Sequence, residues 1–127
     1  MSAAGPGDGR SVDYDYLLRT NIEKVFNERD AGRRAAVIAE LFTEEAVLYE
    51  PAAVVQGRDA ISHAAGALLD AFGPGFRLVA APRALGHDGL AALAWRAEGG
   101  PAGLAGIDVA EVIGGRIARL WVLVEPS

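Results

Sequence analysis

Asp108 stands inside the run Leu104-Ala105-Gly106-Ile107-Asp108-Val109-Ala110, which otherwise reads as a buried strand. An ionised carboxylate among apolar side chains is costly unless a partner compensates it or the group keeps its proton. A carboxyl that stays neutral near pH 7 can donate a hydrogen bond or a proton, so such groups mark acid–base sites. Other chemistry-bearing types are sparse. The chain has no cysteine, which removes disulfides, thiol nucleophiles and thiolate metal sites. His63 lies off the apolar stripe of its helix and His87 belongs to a His-Asp-Gly turn, so two distant histidines make no metal site. The Gly-Gly pairs and Gly73-Pro74-Gly75 lack the strand-to-helix context of a phosphate loop. Neither a metal nor a nucleotide cofactor is expected.

Length and composition narrow the classes further. The 127 residues suit one domain, with 51% hydrophobic and 23% charged residues, the balance of a soluble globular protein. A net charge of −5 argues against nucleic-acid binding, which needs a basic face. Arg33-Arg34 is the one adjacent basic pair. No apolar stretch approaches the roughly 20 residues that span a bilayer. The start of the chain lacks a basic segment followed by an apolar core, so no secretory signal or membrane partner is expected and the location is cytoplasmic. The bias toward Ala, Gly and Arg, with Lys24 the sole lysine, is a codon signature of a GC-rich bacterial genome.

The elements that would position Asp108 follow from periodicity. Residues 1–11 are small, polar and Gly-rich and read as a flexible tail, leaving 12–127 as the single domain. From Val12 the pattern is helical, with Leu18, Ile22, Val25, Phe26 and Arg29 on one stripe. A short second helix carries Ala35, Ile38 and Leu41-Phe42, and Thr43-Glu44-Glu45 reads as a break. Residues 46–50 form a strand stopped by Pro51. A third helix opens at Gly57-Arg58-Asp59, shows Ile61, Ala65, Leu68 and Phe72 on its apolar face, and ends at Gly73-Pro74-Gly75. Four strands follow, at 76–85, 90–98, 104–113 and 116–124, the last two joined by the hairpin signal Gly114-Gly115. Helices first and antiparallel strands last make the class α+β, with helices packed on one face of a bent sheet. A sheet curled around helices leaves an open mouth, a natural pocket. Alternation puts Asp108, Ala110 and Val112 on one face and Ile107, Val109 and Glu111 on the other. It does not say which face looks inward, so Asp108 could instead pair with an arginine such as Arg96 or face a dimer surface.

Leu41-Phe42-Thr43-Glu44-Glu45-Ala46, Glu50-Pro51, Gly57-Arg58-Asp59-Ala60-Ile61 and Gly114-Gly115-Arg116-Ile117-Ala118-Arg119-Leu120 resemble the nuclear transport factor 2-like superfamily, in its SnoaL-like and ketosteroid isomerase-like branch. The resemblance spans roughly residues 17–124. It implies a cone-shaped α+β domain, three N-terminal helices on a curved, mainly antiparallel sheet, and a homodimer packed sheet to sheet. The superfold hosts isomerases, cyclases, hydrolases and non-catalytic modules, so activity must come from the site.

Ketosteroid isomerases carry their general-base aspartate just before a proline after the first strand. Glu50 before Pro51 matches that position, which implies a base with a longer side chain. Ile107-Asp108 matches their late-strand pair with a protonated aspartic acid, which implies an inward, acidic Asp108. Trp95, sharing a face with Leu93 and Ala97, falls where the family has a pocket aromatic. The position of the family's oxyanion tyrosine holds Ile22, while Tyr14 and Tyr16 lie one to two turns upstream. Limonene epoxide hydrolases need an Arg-x-Asp strand motif and a carboxylate after a late Trp. Arg96-Ala97-Glu98 echoes the first loosely, and Trp121-Val122-Leu123 has no carboxylate.

The expected catalytic pair is therefore Glu50 as base and Asp108 as acid or hydrogen-bond donor. Ile22, Phe26, Trp95, Ala110 and Trp121 are the expected substrate contacts, with Trp121 alternatively in a subunit interface. Tyr49 alternates with Glu50 and should face the core or an interface. The implied activity is proton transfer on an apolar carbonyl compound, an isomerisation or cyclisation, with a polyketide or terpenoid-like substrate. A non-catalytic ligand-binding module and a hydrolase or dehydratase in which Asp108 activates water are the alternatives.

Overall fold

The computed structural model describes residues 11–126. The expected tail thus lies outside the described residues except for Ser11. Three α-helices run along the chain, α1 at Tyr14–Asn21, α2 at Ala31–Leu41 and α3 at Arg58–Phe72. Seven strands follow the order β1 Phe42–Glu50, β2 Ala53–Gln56, β3 Arg77–Ala80, β4 Leu85–His87, β5 Leu90–Glu98, β6 Ala105–Ile113 and β7 Arg116–Val124. The helices pack on one face of the sheet, as the α+β pattern requires. No helix among the described residues is long and apolar enough to cross a membrane.

Asp caps set the starts of α1 and α2. Asp13 accepts from Tyr16 N at 2.9 Å, and Asp30 accepts from Arg33 N at 2.8 Å, each satisfying an otherwise orphaned amide. The first helix is not continuous to Phe26 as periodicity suggested. It passes at Ile22–Phe26 into a π-helical turn. Such turns add one residue and rotate the side chains that follow. Arg29, expected on the apolar stripe, instead leaves it. Its guanidinium donates to the carbonyls of Leu69, Gly73 and Phe76, tying the end of α3 to the start of β3.

The sheet order is β2-β1-β7-β6-β5-β3, with β4 pairing β5 beyond β3. The β1–β7 pair is parallel and every other pair is antiparallel. Three strand boundaries differ from the sequence expectation. Thr43-Glu44-Glu45 is part of β1, where the register against β7 shifts between Phe42 and Val47, so the expected break is a bulge. β2 was not foreseen because four residues after a proline carry too little alternation to read. The expected strand 76–85 splits into β3 and β4 around Ala81-Pro82-Arg83-Ala84. Pro82 cannot donate to a ladder, and the exposed backbone there is taken up by α1. Arg19 donates to the carbonyls of Ala81 and Pro82, Asp15 accepts from Ala84 N, and the two side chains pair at 2.9 Å.

Inward positions along the strands are Ala46, Leu48 and Glu50 on β1, Ala91, Leu93 and Trp95 on β5, and Gly106, Asp108, Ala110 and Val112 on β6. They meet Leu18, Ile22, Val25, Ile38, Leu41, Ile61, Ala65 and Leu69 from the helices in one continuous core. Arg34 joins α2 to α3, donating to Ser62 Oγ at 3.0 Å and to the Glu28 carbonyl at 2.6 Å. Asn21 is the exception in this core. It is fully buried, and its side-chain amide meets no hydrogen-bond partner among the described residues. A buried, unpaired amide costs about 1–3 kcal/mol. Asn21→Leu, close in volume, is therefore expected to raise the unfolding free energy by about 1 kcal/mol or more in urea titrations. A loss of stability would mean that the amide is satisfied in solution.

Candidate active site

The expected position of Asp108 is on the inner face, and that is where the structure has it. β6 is flanked by β5 and β7, so Asp108 lies opposite Leu93 on one side and Val122 on the other. Its side chain is only 4% exposed. The bland alternative, pairing with Arg96, does not occur. Arg96 points to the outer face and donates to Glu98 at 2.7 Å. Asp108 Oδ1 instead accepts from Trp95 Nε1 at 2.9 Å. Loss of hydration raises the carboxyl to about 7, and the indole N–H opposes that rise without cancelling it.

A cavity of about 220 Å³ opens beside this carboxyl. Its wall is built by Phe26 from the π-helical turn, Leu68 and Phe72 from α3, Phe76 and Leu78 around β3, and Trp95, Leu104, Val122 and Val124 from the sheet and its loops. Glu50 reaches the same cavity from the end of β1, next to Pro51. It is half-buried, and loss of hydration raises its carboxyl above the usual 4.5. Glu50 and Asp108 are the only ionisable side chains among the described residues that line the cavity. No arginine, lysine or histidine shares it. The first strand and the sixth thus bring together the two carboxyls that the sequence singled out.

Local anchors hold the wall in place. Asn27 exchanges two hydrogen bonds of 2.8 Å with the backbone of Leu78, acting as a strand partner for β3. That pairing fixes Phe26, Leu78 and Phe76 relative to one another. Phe72 and Phe76 stack with ring centroids 4.5 Å apart.

The expected substrate contacts divide. Phe26 and Trp95 line the cavity. Ile22 and Ala110 are buried in the core and do not line it. Trp121 lies on the outer face, where it stacks on Tyr49 at 4.9 Å, the two residues being register partners across β1 and β7. Tyr14 does not reach the cavity either. Its hydroxyl accepts from Gly89 N at 2.8 Å, and Tyr16 is half exposed. His63 is exposed, and His87 pairs with Asp88 on the surface. Among the described residues no group of three or more His, Cys, Asp or Glu could hold a metal ion.

Sequence reasoning missed Leu68, Phe72, Phe76, Leu78, Leu104, Val122 and Val124 as cavity residues. Leu68 and Phe72 were visible as an i, i+4 pair but read as core. Val122 and Val124 alternate with Trp121, and a β-bulge between Glu111 and Val112 hides that alternation's phase.

A helical layer on a mixed, curved seven-stranded sheet is the nuclear transport factor 2-like fold. The chain belongs to the SnoaL-like domain family, whose profile matches residues 20–120. It is similar to a SnoaL-like family protein from Agrobacterium tumefaciens, named as an isomerase candidate, at 25% identity over 87% of this chain and 95% of that one, with a TM-score of 0.78. A ketosteroid isomerase candidate from Kribbella flavida shares the fold at 20% identity, covering 90% and 78% of the two chains, TM-score 0.66. A polyketide cyclase candidate from Sinorhizobium meliloti does so at 19% identity, covering 84% and 92%, TM-score 0.66. We found no significant match among curated proteins.

The buried carboxyl has a cost that depends on pH. Asp108 titrates near 7 in the fold against 3.8 when solvated. Between those values the folded chain keeps a proton that the unfolded chain has released, so stability falls as pH rises through this window and then levels off. Asp108→Asn removes the titration while keeping an oxygen for Trp95. It is expected to stabilise the protein by on the order of 1–4 kcal/mol at pH 8 and far less at pH 4, in denaturant melts at both values. An equal effect at the two values would contradict a raised Asp108.

Proposed function

We propose that this protein is an acid–base enzyme, an isomerase or cyclase, that moves a proton on a compact, uncharged, apolar carbonyl compound. The observation that carries the reading is the pair of carboxyls in one apolar cavity, with no basic group among the described lining residues. Glu50, half-buried beside Pro51 at the rim, is the base. Asp108, dry and near neutrality, is the acid. Family membership supports the broader class of isomerase or cyclase.

The reaction follows from those two protonation states. The Glu50 carboxylate removes a proton alpha to the substrate carbonyl, and the electron pair of that C–H bond moves onto the carbonyl oxygen. The developing oxyanion is met by the proton of Asp108 in a site where water does not compete, which is where such stabilisation is strongest. Return of the proton from Glu50 to another carbon gives an isomer. Attack of the enolate carbon on a second carbonyl of the substrate closes a ring, the first carbonyl reforming and the new alkoxide taking the proton that Glu50 holds. The aromatic walls of Phe26, Phe72, Phe76 and Trp95 suit a flat, apolar substrate such as a polyketide or terpenoid-like metabolite. Neither step needs a cofactor.

We also propose that the outer face of the sheet pairs with a second copy. Tyr49 and Trp121 stack there, and Ile107 and Leu123 on the same face are exposed. A cytoplasmic location remains part of this proposal.

Activity requires Glu50 ionised and Asp108 protonated, so exchange of alpha protons into deuterated solvent should follow a bell in pH. Its alkaline limb should fall through about 7, the value for Asp108. With β,γ-unsaturated cyclic ketones as probes and NMR as the readout, Glu50→Gln should cut exchange about 10²–10⁴-fold and Asp108→Asn about 10²–10³-fold. Full exchange in both variants would overturn the assignment. Binding of 2-naphthol without any exchange in the wild type would favour a ligand-binding module, and solvent oxygen entering product would favour the hydrolase.

A further inference from the structure

Trp95 faces Gly106 directly across the β5–β6 ladder, and Leu93 faces Asp108 one inward pair further on. The indole therefore spans a diagonal of the sheet, a distance that only long side chains cover. Gly106 is what lets it do so. A Cβ at that position would meet the Leu123 carbonyl oxygen and come within 2.5 Å of Trp95 Cζ2 and 3.0 Å of Cε2, so the ring and the neighbouring backbone share the space where any other residue would carry its side chain. Seated there, the ring turns its N–H along the sheet to Asp108 Oδ1 at 2.9 Å, inside the core. Asp108 Oδ2 has no hydrogen-bond partner among the described residues, and Asp108 lines the cavity.

We propose that Trp95 is a positioning residue for Asp108, its indole N–H occupying Oδ1 so that the carboxyl proton sits on Oδ2 and is offered to the cavity. This rests on the reading of Asp108 as the acid. The chemistry is one of donor bookkeeping. An indole N–H donates and never accepts, so an oxygen that faces it cannot direct a proton the same way. The proton of the neutral acid is then confined to the other oxygen, where the substrate carbonyl must lie. The same bond favours the ionised carboxyl, which keeps Asp108 from becoming too weak an acid in its dry surroundings. Among the described residues the other neighbours of Asp108 are apolar, Leu93 and Val122 as register partners on the adjacent strands, and Phe26, Leu68 and Phe72 share its cavity. Glu50 is the one other titratable group of the described cavity lining, while Arg96, Glu111 and Arg119 lie away from it on other faces or strands.

The chain has two tryptophans, so Trp121→Phe leaves Trp95 as the sole indole. In that protein the emission of Trp95 is expected to change between pH 5 and 9 with a midpoint near neutrality. The change should persist in Glu50→Gln and vanish in Asp108→Asn. Emission that is flat across this range, or that titrates with Glu50, would overturn the proposal. A second arm uses Trp95→Phe, which keeps an aromatic wall and removes the N–H. Its alkaline limb for ketone proton exchange should move up by about one pH unit, and an unmoved limb would contradict positioning by the indole. The emission arm needs no turnover. Full exchange activity in Asp108→Asn, with the expected emission titration in Trp121→Phe, would remove the acid role and leave the pairing, so the two failures are distinguishable.

Discussion

The carboxyl of Asp108 has given up its hydration and received one hydrogen bond, from Trp95, in return. That exchange is unfavourable for the ionised form, and much of the architecture around the site can be understood from it. Burial places the acid near 7, the range in which a group can give and regain a proton under ordinary conditions. Glu50 is under the same kind of constraint, half-buried at the rim, and loss of hydration raises its carboxyl too. The proposed division of roles, Glu50 as base and Asp108 as acid, rests on these different exposures in one cavity.

Holding that difference requires a wall that does not relax or admit water. The anchors are mostly side chains that stand in for backbone partners. Asn27 pairs with Leu78 as a strand would, Arg29 collects three carbonyls around the end of α3, and Asp15 with Arg19 closes the gap left by Pro82 between β3 and β4. The first two hold Leu78 and Phe76 of the cavity wall, and the third ties the β3–β4 connection to α1. Positioning to within about 1 Å is what proton transfer between fixed groups demands.

How much of this was legible in the sequence depends on which force sets each feature. The α+β class, the helix apolar faces and the β6–β7 hairpin follow from local periodicity and from Gly114-Gly115, so they could be read. The π-helical turn at Ile22–Phe26 and strand β2 left no local signature, and the bulge at Thr43–Ala46 showed only as an interruption that reads as a break. At the site, Asp108 was conspicuous because a lone carboxyl among apolar residues violates the pattern. Glu50 needed the family resemblance, since an acidic residue at a strand end is ordinary. Trp121 was misassigned between two faces, because the bulge near Glu111 shifts the phase of β7 against its neighbour. The Trp95–Asp108 bond was not legible, as it joins residues on different strands through a glycine whose role appears only in three dimensions.

Direct observation of the two protonation states tests this account most sharply. Carbon-13 NMR of carboxyl-labelled protein, with Asp108→Asn and Glu50→Gln used to assign the two resonances, would follow both groups through pH. Asp108 should titrate near 7, and burial should raise Glu50 above the ordinary glutamate value. Two carboxyls that both titrate in the ordinary range of solvated side chains would contradict a dry acid–base pair and, with it, the chemistry assigned to this cavity.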